Sequence, residues 1–412
     1  MAAARSGRRH VVVMVTTSYP RFPGDGVGSF MEPIARGVAA CGHDVHVVAP
    51  WHPAIRRARV EDGVHFHFFR YAPTASLSVF GYAAGMREDT RLRAAAWAIA
   101  PVALAAGWFK ALRVASKTRA TIMHGHWVVP GGAIAAAAAG RRPLVVSLHG
   151  SDVFVAERSA TARRVARHVF ARAAWVTACS TDLADRATRL GADPARTEVV
   201  PYGVDTERFA PNQAARDAVR RSLGIGRAPL VLAAGRLVRK KGFEHLIDAV
   251  ERLAADLPDV RLVIAGEGDL HAELTARAGR VGGKRVLLVG NQPQDEIARL
   301  AAAADVIAVP SVRDEAGNVD GLPNFALEAL ASGTPVVATD AGGLPEVVTD
   351  GVTGRLVPQQ DAAALTAAMA GLLAHPADGR AMGARARERV ARDFGWARVA
   401  ERFEAAYDRC AG

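Results

Sequence analysis

Two carboxylates and a proline stand out first, in the segment Asp320-Gly-Leu-Pro-Asn-Phe-Ala-Leu-Glu328. Pro323 suits the first turn of a helix, where its missing N–H would have had no partner, so a helix is expected to begin around residues 322–324. The backbone N–H groups at such a start make a seat for an anion or for sugar hydroxyls, here around Gly321, Leu322, Pro323 and Asn324. Asp320 lies just before that start and Glu328 about one turn inside it, and carboxylates of this kind are good acceptors for a polyol. The segment follows an irregular loop, Ser311 to Val319, at the expected carboxyl end of a strand, where α/β sheets place ligands. Taken singly, each acid is also explained as a carboxylate favoured by a helix dipole or as a solvated helix residue.

A second group is cationic. In Ala234-Gly-Arg236-Leu-Val-Arg-Lys-Lys241-Gly242 an apolar run ends, a glycine lets the chain turn, and two cations of different geometry follow, the forked Arg236 and the compact Lys241. Such a pair suits an anionic ligand; the plainer alternative is a solvated basic loop. A third group is glycine-rich, Ser18-Tyr-Pro-Arg-Phe-Pro-Gly24-Asp-Gly26-Val-Gly28-Ser-Phe30, in which glycines permit close backbone approach. Its triplet is not the dinucleotide fingerprint, and the second strand ends in Ala49-Pro-Trp-His52 without an acid for a ribose, which argues against a dehydrogenase. Three histidines follow strands, in His124-Gly-His126-Trp127 and His149-Gly-Ser-Asp152. His124 and His126 would share one face of a strand, yet no cysteine or further acid at ligand spacing stands nearby, so no metal site is expected.

The elements that must position these residues are legible as short apolar runs alternating with helix-length, alanine-rich segments, the pattern of parallel strands covered by helices on both faces. The class is α/β. Strands are expected at 11–15, 45–49, 64–69, 121–124, 144–148, 175–178 and 198–200, and then at 230–234, 261–265, 286–289, 306–309 and 335–338. The strand pattern lapses between Tyr202 and Pro229, which suits a connection between two domains with its boundary near Phe209. The tail from Asp361 onward reads as helical and ends in the amphipathic series Trp396, Val399, Phe403, Tyr407.

Composition narrows the partners. The 52 basic and 41 acidic residues give a net charge of +11, enough to attract phosphates, anionic lipid or nucleic acid. With aromatics at 6% and no basic run interleaved with Phe or Tyr, no base-stacking platform is present and nucleic acid is not an expected partner. Three scattered cysteines, Cys41, Cys179 and Cys410, suggest neither a disulfide framework nor a zinc knuckle, and read as cytosolic. The apolar run after the basic first ten residues stops at Val15, as a buried first strand does and a signal peptide does not. The uncharged stretch Ala94 to Phe109 has Arg87, Arg91 and Arg93 on one side and Lys110, Arg113, Lys117 and Arg119 on the other. It is too short to span a bilayer, which leaves a helix packed on the first sheet or an interfacial helix whose basic rim meets anionic headgroups. Arg163, Arg164, Arg167, His168 and Arg172 make a second basic helix, compatible with a membrane surface or with solvent.

The segment continuing through Ala329-Leu-Ala-Ser-Gly-Thr-Pro-Val-Val-Ala-Thr-Asp-Ala-Gly-Gly-Leu-Pro-Glu346 resembles the E-x7-E signature and the downstream glycine segment of glycosyltransferase family 4, retaining enzymes of the GT-B fold. Arg236 to Gly242 resembles the family's diphosphate loop, and Gly266-Glu-Gly-Asp-Leu270 also fits. Gly24 to Gly28 resembles its glycine-rich loop, and the two histidine segments its H-x-H-W and H-G-x-D stretches. Val200-Pro-Tyr-Gly203-Val-Asp205 to Phe209 resembles its interdomain connection. The matches run in family order from residue 16 to about residue 360.

The resemblance implies two Rossmann-like domains facing a central cleft. Residues 1–209, completed by a C-terminal helix at 393–412, would bind acceptor, and residues 210–392 would bind the nucleotide sugar. It gives His149, Arg236, Lys241 and Asp320 catalytic roles. Donor binding would fall to Gly28, Arg236, Lys241, Gly321, Leu322, Pro323, Asn324 and Glu328, with no cofactor and no metal. The implied activity moves a UDP- or GDP-linked sugar to a glycan or lipid-linked acceptor in surface polysaccharide or glycolipid synthesis. Its expected place is the cytoplasm, peripheral on the inner face of the plasma membrane. Two rivals are a nucleotide-sugar epimerase on the same fold, revealed by a new epimer from donor alone, and a noncatalytic basic membrane-surface protein. The family most often carries glutamate where this chain has Asp320, whose carboxylate reaches one methylene less.

Overall fold

The computed structural model describes residues 8–74, 77–78, 80–82, 86–87, 91–92, 94–282 and 285–411. Residues 1–7, Arg93 and Gly412, and the side chains of Arg87 and Arg91, lie outside that description. The chain divides into two compact units, Met1–Tyr202 with Trp396–Gly412, and Gly203–Gly395. The division falls ahead of Phe209 because the connection is already committed to the second unit. Val204 bridges to Gly395, and the Phe209 carbonyl accepts from Arg387 Nη1 at 2.7 Å.

The first unit is built on β1 (Val11–Val15), β2 (Asp44–Pro50), β3 (Val60–Glu61) and β4 (Val64–Phe69). A small antiparallel pair follows, β5 (Met86–Arg87) and β6 (Arg91–Leu92), and then β7 (Ile122–His126), β8 (Leu144–Leu148), β9 (Trp175–Ala178) and β10 (Thr197–Val199). Its sheet runs β10-β9-β8-β7-β1-β2-β4-β3, parallel except for β3. The central strands are apolar and fully buried, as a sheet covered on both faces requires. The helices are α1 (Met31–Ala40), α2 (Ala94–Lys117), α3 (Ala133–Ala139), α4 (Ser151–Arg158), α5 (Ala160–Arg172) and α6 (Thr181–Arg189).

The second unit opens with α7 (Gln213–Ser222) and continues through β11 (Leu230–Ala234), α8 (Phe243–Leu253), β12 (Arg261–Ala265), α9 (His271–Arg280), β13 (Val286–Leu288), α10 (Gln294–Ala303) and β14 (Val306–Val309). It closes with α11 (Asn324–Ala331), β15 (Val336–Thr339), α12 (Leu344–Val347), β16 (Arg355–Val357), α13 (Ala362–Ala374) and α14 (Pro376–Asp393). Its all-parallel sheet has the order β13-β12-β11-β14-β15-β16. All the strands expected from sequence are present to within two residues; those not anticipated, β3, β5, β6 and β16, have two or three residues each.

The last helix, α15 (Trp396–Ala411), belongs to the first unit. Val399, Phe403 and Tyr407 share its apolar face and are at most 5% exposed. The close packing of α15 on α1 rests on Gly37, where an added Cβ would stand 3.0 Å from Ala400 Cβ. The Tyr407 hydroxyl lies 2.8 Å from His124 Nδ1, and His10 Nε2 lies 2.8 Å from Asp408 Oδ1.

Helix α2 outruns the uncharged stretch seen in sequence, and its part Ile99–Lys117 is long and apolar enough to cross a membrane by length and composition. One side of it packs on the unit: Ala103, Ala111 and Val114 are buried, and Gly107 sits so close that a Cβ would meet Phe69 and Ile134 at 3.0 Å. The other side presents Val102, Trp108 and Phe109 at 43–59% exposure, with Arg113 and Lys117 exposed beyond them.

Tyr407→Phe should strip a fully buried imidazole nitrogen of its partner and cost about 1–3 kcal/mol. Amide hydrogen exchange checks this. Exchange in β7 and β8 should quicken while that in β11 and β12 is unchanged, and equal quickening in both units would contradict the assignment of α15 to the first.

Candidate active site

In the second unit the strand order reverses between β11 and β14, so the segments leaving their carboxyl ends diverge and open a crevice. Residues 235–242 come from β11, and Ser311 to Asp320 from β14. The two are joined by the Val312 N–H, which donates to the Lys240 carbonyl at 2.9 Å. Gly242 makes the join possible: it has φ +63°, and a Cβ there would stand 2.1 Å from the Pro310 carbonyl oxygen.

Asp320 is therefore met by two ammoniums. Lys240 Nζ lies 3.0 Å from its Oδ1 and Lys241 Nζ 2.6 Å from its Oδ2. Burial alone would raise the pKa of this carboxyl, which is only 9% exposed, but the two lysines outweigh it and hold it well below the usual carboxylate range. Arg239 turns aside to Glu244 and Glu273. Arg236 stands at the start of the loop, within the field of Asp320 and Asp269.

Helix α11 begins at Asn324, with Pro323 one place before it as the N-cap residue and not in the first turn; no side chain caps the start. Gly321 and Leu322 are buried, and the Asn324 side-chain oxygen is buried with no partner among the described residues. Glu328, one turn on, accepts from Gln294 Nε2 at 3.1 Å. Burial pushes its carboxyl up to about 7, against the smaller opposing effects of Gln294, Arg208 and Lys241.

The first unit carries its own reversal, between β1 and β7. The loop after β1 reaches Gly28, which has φ +66° and packs so that a Cβ would lie 3.2 Å from Ser18 Cβ. Phe30 then lies against Tyr202, His149 and Trp127, with ring centroids 4.8, 4.7 and 5.7 Å away. Both ring nitrogens of His149 are engaged, Nδ1 at 2.8 Å from the Tyr202 hydroxyl and Nε2 at 3.1 Å from His126 Nδ1. Burial, reinforced by His126, pushes the His149 pKa well below 6.5, so this imidazole is neutral at neutral pH. Its backbone N–H and that of Gly150 donate to Asp152 Oδ1, while the Val128 N–H donates to Oδ2 at 2.7 Å. Asp152 thereby ties the ends of β7 and β8 together, and burial raises its carboxyl to about 6 despite those donors. His124 is occupied by Tyr407 and by Ser147 Oγ at 2.7 Å. Among the described residues no three His, Cys, Asp or Glu side chains are placed to share a metal.

A family model for "Glycosyltransferase Family 4" matches residues 24–208, and one for "Glycosyl transferases group 1" matches 215–389. A GDP-mannose-dependent alpha-(1-6)-phosphatidylinositol monomannoside mannosyltransferase of Mycolicibacterium smegmatis is 38% identical over 64% of this chain and 70% of its own length. Its namesake in Mycobacterium tuberculosis is 30% identical over 95% and 96%. The chain belongs to the family 4 glycosyltransferases. The fold of this glycosyltransferase is likewise that of HepE of Anabaena, solved in complex with UDP, at a TM-score of 0.76 and 21% identity over 96% of this chain and 98% of that one.

In this glycosyltransferase Lys241, Asp320, Gly321, Leu322, Pro323, Asn324 and Glu328 come together with Arg236 at the second unit's crevice, and Gly28 and His149 at the first unit's reversal. Four partners were not singled out as site residues from sequence: Lys240 on Asp320, Gln294 on Glu328, and Tyr202 and Asp152 on His149. Lys240, Asp152 and Tyr202 lie within motifs read from the sequence. Gln294 lies outside them and reaches the site only through tertiary packing.

Because the Glu328 carboxyl titrates at about 7 in the fold and at 4.5 when unperturbed, the unfolded chain loses its proton first. The native enzyme should lose stability as pH climbs between those values, and Glu328→Gln should abolish that loss. The melting temperature of the variant relative to the unaltered enzyme is expected to rise from about pH 5 to about pH 8 in calorimetry. A constant difference would show that Glu328 has an ordinary pKa.

Proposed function

We propose that this family 4 enzyme is a retaining glycosyltransferase that moves a sugar from a UDP- or GDP-linked donor to a glycan or lipid-linked acceptor in surface polysaccharide or glycolipid synthesis. The observation that carries the reading is the ion pairing of Lys240 and Lys241 with Asp320 beside the start of α11, with Arg236 in the field of the same carboxylate. Lys240 offsets the charge of Asp320, which leaves Arg236 and Lys241 as the cations that face an anionic diphosphate. The mannosyltransferase relatives, whose names specify GDP-mannose and a phosphatidylinositol monomannoside, favour the GDP-linked and lipid-linked alternatives.

In this reading Glu328 takes the ribose hydroxyls, and Arg236 and Lys241 neutralise the diphosphate as charge builds on the departing nucleotide. Asp320 and the backbone N–H groups of Gly321 and Leu322 fix the donor sugar. The bond from the anomeric carbon to the phosphate oxygen breaks, a bond to the acceptor oxygen forms on the same face, and the acceptor proton passes to the leaving phosphate. Asp320, kept ion-paired by Lys240, is a poor nucleophile, which supports same-face attack over a covalent sugar intermediate. The charge comes from side chains, so the reaction runs without a metal. His149 is the first unit's candidate for a substrate contact, and being neutral it acts as a hydrogen-bonding dipole and not as a cation.

The exposed side of α2, with Val102, Trp108 and Phe109 as an apolar wedge and Arg113 and Lys117 as its basic flank, supports a peripheral location on the inner face of the plasma membrane. Phe109→Ser combined with Arg113→Glu should reduce co-sedimentation with anionic vesicles while leaving thermal stability unchanged. Equal sedimentation of both proteins would remove α2 from the contact.

A thermal-shift screen of nucleotide sugars identifies the donor, since a ligand at a hundred times its Kd adds about 2.7 kcal/mol of stability. With that donor, Lys241→Ala should lower kcat by about a hundredfold or more. Turnover near that of the unaltered enzyme would end the charge-stabilisation assignment.

A further inference from the structure

The run Arg239-Lys240-Lys241 divides its charges in a way that diphosphate binding does not require. Arg239 is spent on Glu244 and Glu273, outside the crevice, whereas Lys240 and Lys241 both turn to Asp320, one on each oxygen. Both lysine side chains are largely buried, at 15% and 16% exposure. They are not alike in what holds them. The Lys240 carbonyl accepts from the Val312 N–H, which pins this lysine's backbone to the β14 segment that carries Asp320. Lys241 is the residue at the family's diphosphate position and has a second task when phosphate arrives. A single lysine would leave Asp320 with its one counter-charge drawn away at the moment the sugar has to be held, and an unpaired carboxylate at 9% exposure is costly.

We propose that Lys240 is a positioning residue, which keeps Asp320 fixed through Oδ1 while Lys241 transfers from Oδ2 to the donor diphosphate, so that phosphate binding itself presents Oδ2 to a hydroxyl of the donor sugar. The proposal rests on the donor reading above and adds to it a coupling between the two halves of the donor. Nucleoside diphosphate recognition would survive the loss of Lys240, and productive recognition of the sugar would not. The shorter aspartate, in place of the family's usual glutamate, fits this arrangement. With less reach it depends more on being held, and Lys240 supplies the hold.

The test is a double-mutant cycle on the full-length enzyme, using the donor found in the screen and the matching nucleoside diphosphate. Lys240→Met should bind the nucleoside diphosphate within about threefold of the unaltered enzyme by calorimetry, yet lose at least about tenfold in kcat/KM, because a displaced polar group at a reacting sugar costs up to a hundredfold. Lys240→Arg should recover most of that loss. In an Asp320→Asn background the further effect of Lys240→Met should shrink to about twofold or less, since residues that act through one another are not additive. A tenfold loss that persists in that background, or a parallel loss of nucleoside diphosphate affinity, would make Lys240 a second phosphate cation and overturn the proposal. So would unchanged kcat/KM in Lys240→Met. If Lys240→Met does not fold, Lys240→Gln carries the same cycle. Failure of the unaltered enzyme to bind any nucleoside diphosphate would instead sink the donor reading, and this proposal with it.

Discussion

A carboxylate taken out of water has to be paired, and the second unit is arranged around that requirement at Asp320. The acid arrives on the segment after β14 and its counter-charges on the segment after β11. Those segments are neighbours only because the strand order reverses there, which makes the two strands adjacent although β12 and β13 come between them in the chain. The fold therefore does for the site what no local sequence could do. It brings a basic turn and an acidic loop to one place and leaves the crevice between them open to a ligand.

The first unit solves a different problem, with neutral groups. Its histidines are buried side by side on β7 and at the end of β8, and burial keeps them uncharged. Apart from His126 Nε2, which is buried without a partner among the described residues, their nitrogens are served by hydroxyls and by one another, and rings from the glycine loop and from the end of the unit's main segment close over His149. One unit thus concentrates charge at its strand ends, and the other gathers neutral imidazoles and aromatic rings there. That difference follows from which residues occupy the strand ends, since the second sheet is all parallel, the first is parallel but for β3, and each reverses its strand order at its own crevice.

Much of this was readable in the chain. The strands announced themselves because a parallel sheet buried on both faces needs continuous apolar runs. The site motifs were legible because a strand end, a glycine turn and a charged residue occur together within a few positions, as at Arg236 and Lys241. The two-residue strands β3, β5 and β6 have too few positions to show a period. The boundary fell early because the connection's backbone is captured by Gly395 and Arg387, residues far along the chain that no local pattern marks. For the same reason Gln294 went unassigned, while Lys240 was hidden by its neighbour: two adjacent lysines read as one basic loop until their separate oxygens on Asp320 are seen.

The return of α15 to the first unit bears on how the protein is made. Val399, Phe403 and Tyr407 are core residues of the unit that begins at the amino terminus, and Tyr407 completes the bonding of His124 on its central sheet. During synthesis the first unit is translated long before these residues exist. It must wait, with an apolar groove along α1 unfilled, until the whole second unit has left the ribosome. The segment made first is therefore the one finished last, and the second unit, continuous from Gly203 to Gly395, is free to fold in the interval. A chain interrupted near its end would yield a second unit with its crevice formed and a first unit lacking its final wall.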